Sequence, residues 1–316
     1  MLFIKPILYV LVLIAYYFLG KKLNLTTTTY SIFNHKAVYG GGIIFSIILL
    51  TESLPFNNSV FFVVSIFVLS ILSFFDDIRP ISSLLKLAIH SILGIVAVIF
   101  ILKLNFNDSV FITFLVAIFI TFYTNANNFM DGINGMMITN NIIILTTLLI
   151  INSYKVQFIN SNLLIYLLLG ALIFFVFNFR RRALLISGDV GSIVLGFTLV
   201  LFVFSLYFKT NNIFVLALFI TFSIETMLTL ILRVSSKKNI LESHKEHLYE
   251  VLVIKNKMSV LRVSSIYGLA QLLLSCIVLS SFYYEIDNKI FFAILILYIL
   301  TYLLLRYKFL NYAKGD

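Results

Sequence analysis

Runs of close to 20 consecutive apolar residues recur along almost the whole of this 316-residue chain, and each is long enough to cross the hydrocarbon core of a bilayer as a helix. Such segments have few structural options. Lipid offers no partner for backbone N–H and C=O groups, so a spanning chain must be helical or a closed barrel. Barrel strands alternate apolar and polar residues over about 10 positions, and these runs do not alternate. Composition agrees: 61% of residues are hydrophobic and 11% charged, against roughly 45–50% and about 25% in soluble domains. A soluble globular protein is excluded. The expected fold is all-α, one integral membrane domain over residues 1–316.

Spans are expected near residues 2–20, 40–54, 59–75, 86–104, 109–124, 133–151, 161–179, 190–208, 212–233, 259–282 and 288–308, eleven in all. The second is short, and losing it would reverse the sidedness of everything after it. Loop charge provides a test, because cytoplasmic loops carry the excess of Lys and Arg. With the N-terminus outside, 18 of the 23 basic residues fall on the inner side, leaving Lys5, Lys103, Lys155, Lys209 and Lys289 outside. This places cytoplasmic loops at 21–39, 76–86, 124–132, 180–189 and 233–258. The first span lacks a small-residue cleavage site and reads as a retained helix. Topology also accounts for most of the net charge of +10, the remainder attracting anionic lipids or phosphorylated ligands, and no nucleic-acid partner is implied. The one cysteine, Cys276, sits in an apolar run and is expected to be a buried free thiol.

The inner loops hold four dense strings: Gly40-Gly41-Gly42, Phe75-Asp76-Asp77-Ile78-Arg79-Pro80, the segment Asn125 to Gly135, and Gly188-Asp189-Val190-Gly191-Ser192. Eight of the 13 glycines lie in them or at Gly196, which points to close backbone approach or positive φ at a site on the cytoplasmic face. Asp76 and Asp77 end an apolar run; they either mark the water boundary or form a metal or general-base site. The segment Asn125 to Gly135 supplies amide oxygens and one carboxylate, Asp131, donors that suit a hard cation such as magnesium or read a nucleobase edge. Gly188 and Gly191 open a helix whose amides and dipole favour phosphate, with Asp189 able to hold a divalent ion, although Asp at a helix start is also a common N-cap. His244 and His247, three apart, share a helix face beside Lys245 and can meet phosphate or donate protons; a solvated charged helix is the alternative. Glu225, about two turns inside a span, is either functional or paired with a bundle histidine or arginine. His90 reads as a satisfied helix-interface residue.

Taken in order, these strings resemble the polyprenyl-phosphate N-acetylhexosamine-1-phosphate transferases (glycosyltransferase family 4), from about Asn34 to Tyr249. Phe129-Met130-Asp131-Gly132-Ile133-Asn134-Gly135 with His247-Leu248-Tyr249 is most similar to the O-antigen, capsule and teichoic-acid initiating branch. The resemblance implies a magnesium-dependent phosphotransferase, with manganese as an alternative ion, in the inner (plasma) membrane. It moves a sugar 1-phosphate from a UDP-N-acetylhexosamine (GlcNAc, or a 6-deoxy relative such as FucNAc or QuiNAc) to undecaprenyl phosphate. UMP is released, in the first membrane step of a cell-surface polysaccharide such as lipopolysaccharide O-antigen. It also implies roles: Asp76 and Asp77 at the lipid phosphate, Lys86 beside it, Asn128 and Asp189 on magnesium, Asp131 and Asn125 in the nucleotide loop, Asn134 at uracil, and His244 and His247 over the pyrophosphate. Membrane lipids and a second copy of the chain are further expected partners. Asn134 stands where most bacterial members have Asp, and Glu225 replaces a customary Asp. The three-histidine run of the muramoyl-pentapeptide transferases of peptidoglycan synthesis is not seen, which leaves that activity as an alternative. A lipid-substrate transporter or flippase is another; transporters tend to place polar groups at the midplane of repeated halves, whereas these strings sit at one face.

Overall fold

The computed structural model describes residues 4–27, 36–53, 59–104, 110–240, 242 and 244–312. Its helices are α1 (Ile4–Lys22), α2 (Ile43–Ser53), α3 (Ser59–Ile78), α4 (Ser83–Val96), α5 (Val110–Phe129), α6 (Met136–Tyr154), α7 (Ser161–Asn178), α8 (Gly188–Thr210), α9 (Ile220–Ser235), α10 (Leu248–Ile254), α11 (Val260–Ser280) and α12 (Asn288–Tyr312). A π turn, Ala97–Ile101, continues α4, and a 3-10 turn, Ile213–Phe219, leads into α9. Among the described residues ten helices are long and apolar enough to cross a membrane. The protein is an all-α, multi-pass membrane protein. Large apolar side chains such as Leu8, Phe67, Phe111, Leu273 and Leu304 stay more than half exposed on the outside of the bundle, where lipid is their natural solvent. Cys276 is exposed on α11, a correction to the expected burial: in a membrane bundle an apolar run can face lipid as readily as core.

The expected second span is only the 11 residues of α2, about 17 Å of helix. Its two ends nevertheless lie at opposite ends of α1. Lys5, near the start of α1, pairs with Glu52 near the end of α2 at 2.6 Å, while Gly20 near the end of α1 touches Val38 ahead of α2. The missing length is extended backbone. β2 (Ala37–Val38) pairs antiparallel with β1 (Thr26–Thr27) and lies parallel to residues 184–187. Val38 N donates to Leu184 O, Ile186 N to Val38 O, Gly41 N to Ile186 O and Gly42 N to Ser187 O, at 2.9–3.1 Å. Non-helical backbone is tolerated in a membrane protein where protein satisfies it in this way.

α8 is the central helix. Every residue from Gly188 to Phe204 is buried, against α5, α3 and α2 above all. Small residues let it approach so closely. A Cβ on Gly191 would lie 2.7 Å from Gly42 Cα, and one on Gly196 2.8 Å from Asn127 Cβ. Asn127 adds a buried hydrogen bond to Ser192 O at 2.7 Å. The first turn of α8 is thereby placed among the ends of α3, α4 and α5.

Candidate active site

A cavity of about 1430 Å³ opens where these ends meet. Asp76, Asp77, Asp131 and Asp189 line it together with Lys86, Asn125, Asn128, His244 and His247. One wall is apolar, built from Ile95, Phe114, Ile118 and Phe122 of α4 and α5. The cavity thus combines charged groups with a hydrocarbon wall.

The two adjacent aspartates have different tasks. Asp76 Oδ1 accepts from Ile81 N at 2.6 Å and Oδ2 from Lys86 Nζ at 2.6 Å, which joins the end of α3 to the first turn of α4. Asp77 accepts from Asp189 N at 2.8 Å and Val190 N at 3.3 Å, capping the positive end of α8. Gly188 makes room for this: its φ is +70°, and a Cβ there would sit 2.3 Å from Asp77 Oδ2. Of the amides from Gly188 to Gly191 expected to favour phosphate, those of Asp189 and Val190 are thus engaged within the protein. Two of the first amides of α8 are held by Asp77, and Gly191 spends its missing side chain on contact with the backbone of Gly42.

Asp189 lies 3.4 Å from Lys86 Nζ, and its carboxyl is in hydrogen-bond contact with Asp76 and Asn128. Ser187 donates to Asp131 Oδ2. Enclosure by the surrounding helices, with Asp189 and Asp77 nearby, holds the Asp131 carboxyl well above its usual range against the opposing hydrogen bond from Ser187. Among the described residues the ion pairs to these four acids come from Lys86 alone. The oxygen donors fit a hard divalent cation: two carboxyls in mutual contact need a proton or a cation between them, and the cluster has more acids than bases. Among the described residues no three His, Cys, Asp or Glu side chains converge tightly enough to hold a metal by themselves.

Asn125 lines the cavity with its amide fixed on both sides: Nδ2 donates to Thr121 O at 2.7 Å, and Oδ1 is 3.2 Å from His90 Nδ1. His90 thus belongs to the cavity wall; a lone histidine in an apolar span carries no signal that separates this from ordinary helix packing. Asn134 lies outside the lining. Its side chain donates to Arg180 O at 2.9 Å and its carbonyl accepts from Ser264 at 2.8 Å, so it ties three inner segments together.

His244 and His247 do not share a helix face as expected. They sit in a loop with His247 as N-cap of α10, and their rings stack 5.0 Å apart. Burial, with His247 and Arg233 alongside, pushes His244 down to about 4, so it is neutral at pH 7. Tyr249 OH donates to Phe129 O at 2.7 Å, which fastens the loop to the end of α5. Glu225 is fully buried and pairs with His247 at 3.5 Å, the structural partner that its intramembrane position called for.

Comparison with known proteins bears on this geometry. Residues 59–209 match glycosyl transferase family 4. Two relatives named phospho-N-acetylmuramoyl-pentapeptide-transferase, from Streptococcus agalactiae serotype Ia and serotype III strains, are each 40% identical over 84 residues. That alignment covers 26% of this chain and 24% of each relative, so it spans about a quarter of their length. The histidine loop at 244–247 lies beyond the family match, whereas Asp76, Asp77, Lys86, Asn125, Asn128, Asp131 and Asp189 lie within it. Residues 59–209, which supply most of the residues lining the cavity, are those that match glycosyl transferase family 4.

Proposed function

We propose that this protein transfers a sugar 1-phosphate from a UDP-N-acetylhexosamine to undecaprenyl phosphate and releases UMP. The observation that carries this reading is one cavity that joins Asp76, Asp77, Asp131 and Asp189, together with Lys86, His244 and His247, to an apolar wall. A nucleotide diphosphate needs the first set of groups and a prenyl chain the second. In the reaction an oxygen of the lipid phosphate attacks the sugar-linked phosphorus of the donor. A new P–O–P bond forms as the old one breaks, and the bridging oxygen leaves on UMP with its electron pair. One phosphoanhydride replaces another, so catalysis is a matter of positioning and charge compensation.

Lys86, held by Asp76 and Asp189 at the mouth of the apolar wall, would steady the lipid phosphate. Asn125 and Asp131 would meet the nucleotide. His244 and His247 cover the cavity from the α10 side, where a neutral His244 can accept a proton when an anion arrives. Magnesium, held by Asp189 and Asn128 with substrate oxygens, would offset the charge of the diphosphate. Purified protein given magnesium, undecaprenyl phosphate and UDP-GlcNAc, UDP-GalNAc or a 6-deoxy analogue should release UMP; silence with every donor would sink the reading. The relatives' names favour a second donor, UDP-N-acetylmuramoyl-pentapeptide, and including it in the panel separates an O-antigen-type initiating step from one in peptidoglycan synthesis.

A further inference from the structure

His90 is buried in the cavity wall, 2% exposed, and its ring is hydrogen-bonded on one side only. The crossing of α4 with α5 sets its place. One turn further along α4, a Cβ on Gly94 would lie 2.9 Å from Thr121 Oγ1 and 3.0 Å from Ala117 O, so the two helices meet closely and their register is fixed. That register puts His90 Nδ1 3.2 Å from Asn125 Oδ1, while Asn125 Nδ2 donates to Thr121 O at 2.7 Å. One turn before His90, on the same face of α4, Lys86 pairs with Asp76 and Asp189. His90 and Asn125 therefore form the layer of the wall next to the charged cluster.

Hydrogen-bond chemistry allows one arrangement of the pair. A carbonyl oxygen only accepts, so the Asn125 amide turns its nitrogen to Thr121 O and its oxygen to His90. That oxygen cannot donate, so His90 Nδ1 carries the hydrogen. The other tautomer would set two acceptors 3.2 Å apart and bury an Nε2–H for which the described residues offer no acceptor. Its two inner contacts leave Asn125 with one Nδ2 hydrogen and one Oδ1 lone pair, on a side chain that lines the cavity.

We infer that His90 is a positioning residue for the site: its Nδ1–H holds the Asn125 amide in one orientation, so that this free donor and acceptor are presented to a ligand in the cavity. Without that bond the amide is tied at Thr121 O alone. The ligand group it suits is an oxygen acceptor, as on a phosphate or a nucleobase carbonyl. The effect on turnover rests on the transferase reading; the tautomer does not.

The test uses the full chain in two ways. The protein has four histidines, so nitrogen-15 labelling of histidine, with His90→Asn to assign the signal, reads the tautomer directly at pH 8. A protonated Nδ1 with bare Nε2 is expected, and the opposite tautomer overturns the inference whether or not the protein is a transferase. In UMP release, His90→Leu should lower kcat/KM about 3- to 10-fold, the scale of one neutral hydrogen bond. His90→Asn, whose amide nitrogen stands where Nδ1 was, should recover most of that loss, which a role in packing alone would not produce. In an Asn125→Ala background His90→Leu should cost nothing further, since Asn125 is the side chain that His90 bonds. Multiplying losses, or no recovery in His90→Asn, would overturn the inference. If His90→Leu does not fold, His90→Gln, whose amide reaches the Nε2 position instead, is held to the same non-additivity. A wild-type protein that releases no UMP from any donor refutes the transferase reading, while the tautomer measurement still decides the role of His90.

Discussion

Asp76 and Asp77 are chemically identical neighbours whose partners give them separate work. Asp76 shares Lys86 with Asp189, and Asp77 is spent on the first amides of α8. On the proposed reading Asp189, 3.4 Å from Lys86, also meets the cation, so Asp189→Asn should lower kcat for UMP release by about 10²–10³, the scale of removing one preorganised electrostatic group; near-normal turnover would exclude it from the site. Two groups of the histidine loop give folding stability opposite pH dependences. Burial, the largest influence on Glu250, pushes its pKa from the usual 4.5 up to about 7. The fold favours its protonated form, so that contribution is full below about 4.5 and is lost as pH rises to 7. His244 is pushed down from 6.5 to about 4; the fold favours its neutral form, and stability falls as pH drops through that window. Thermal unfolding midpoints in detergent should therefore lose the neutral-side decline in Glu250→Gln and the acid-side decline in His244→Asn. Unchanged profiles would remove these two groups from the pH response.

At the level of elements, the decisive contact is the crossing of α8 with the extended strand before α2. Gly191 and Gly42 meet backbone to backbone, with no flexible side chain available to yield. Gly191→Ala should cost about 1–3 kcal/mol, typical of forcing a methyl group into a filled interior, and should also reduce turnover because Gly188 and Asp189 move with the helix start. A variant of normal midpoint and activity would mean that the strand is free to shift. α5 carries its asparagines with similar economy: Asn127 faces α8 and bonds to Ser192 O, while Asn125 and Asn128, on either side of it, line the cavity. Helical spacing alone sends neighbours in one string to different surroundings.

For the whole molecule, the contacts of α1 with α2 support the odd number of crossings on which the loop-charge argument depends. That argument predicts that, in a Cys276→Ser background in intact cells, an impermeant maleimide labels Lys289→Cys and spares Lys245→Cys; the reverse pattern would invert the bundle. The membrane class, the approximate spans and the residues of the polar strings were legible in sequence because each is a local property: apolar run length, and density of Asp, Asn and Gly against an apolar background. The extended stretch before α2 was not, because it exists only through pairing with residues 184–187, distant in sequence. The lipid-facing side of Cys276, the cavity wall at Phe114 and Phe122, and the place of His90 were equally hidden, since an apolar run gives no sign of which face meets lipid, core or cavity. Sequence by itself determined that this chain lives in a bilayer and gathers its scarce acids near one face. Only the tertiary structure decided which acid caps a helix, which meets the lysine, and that Glu225 reaches from inside a span to accept from Leu248 N beside His247, because those assignments depend on distances between segments that no local pattern encodes.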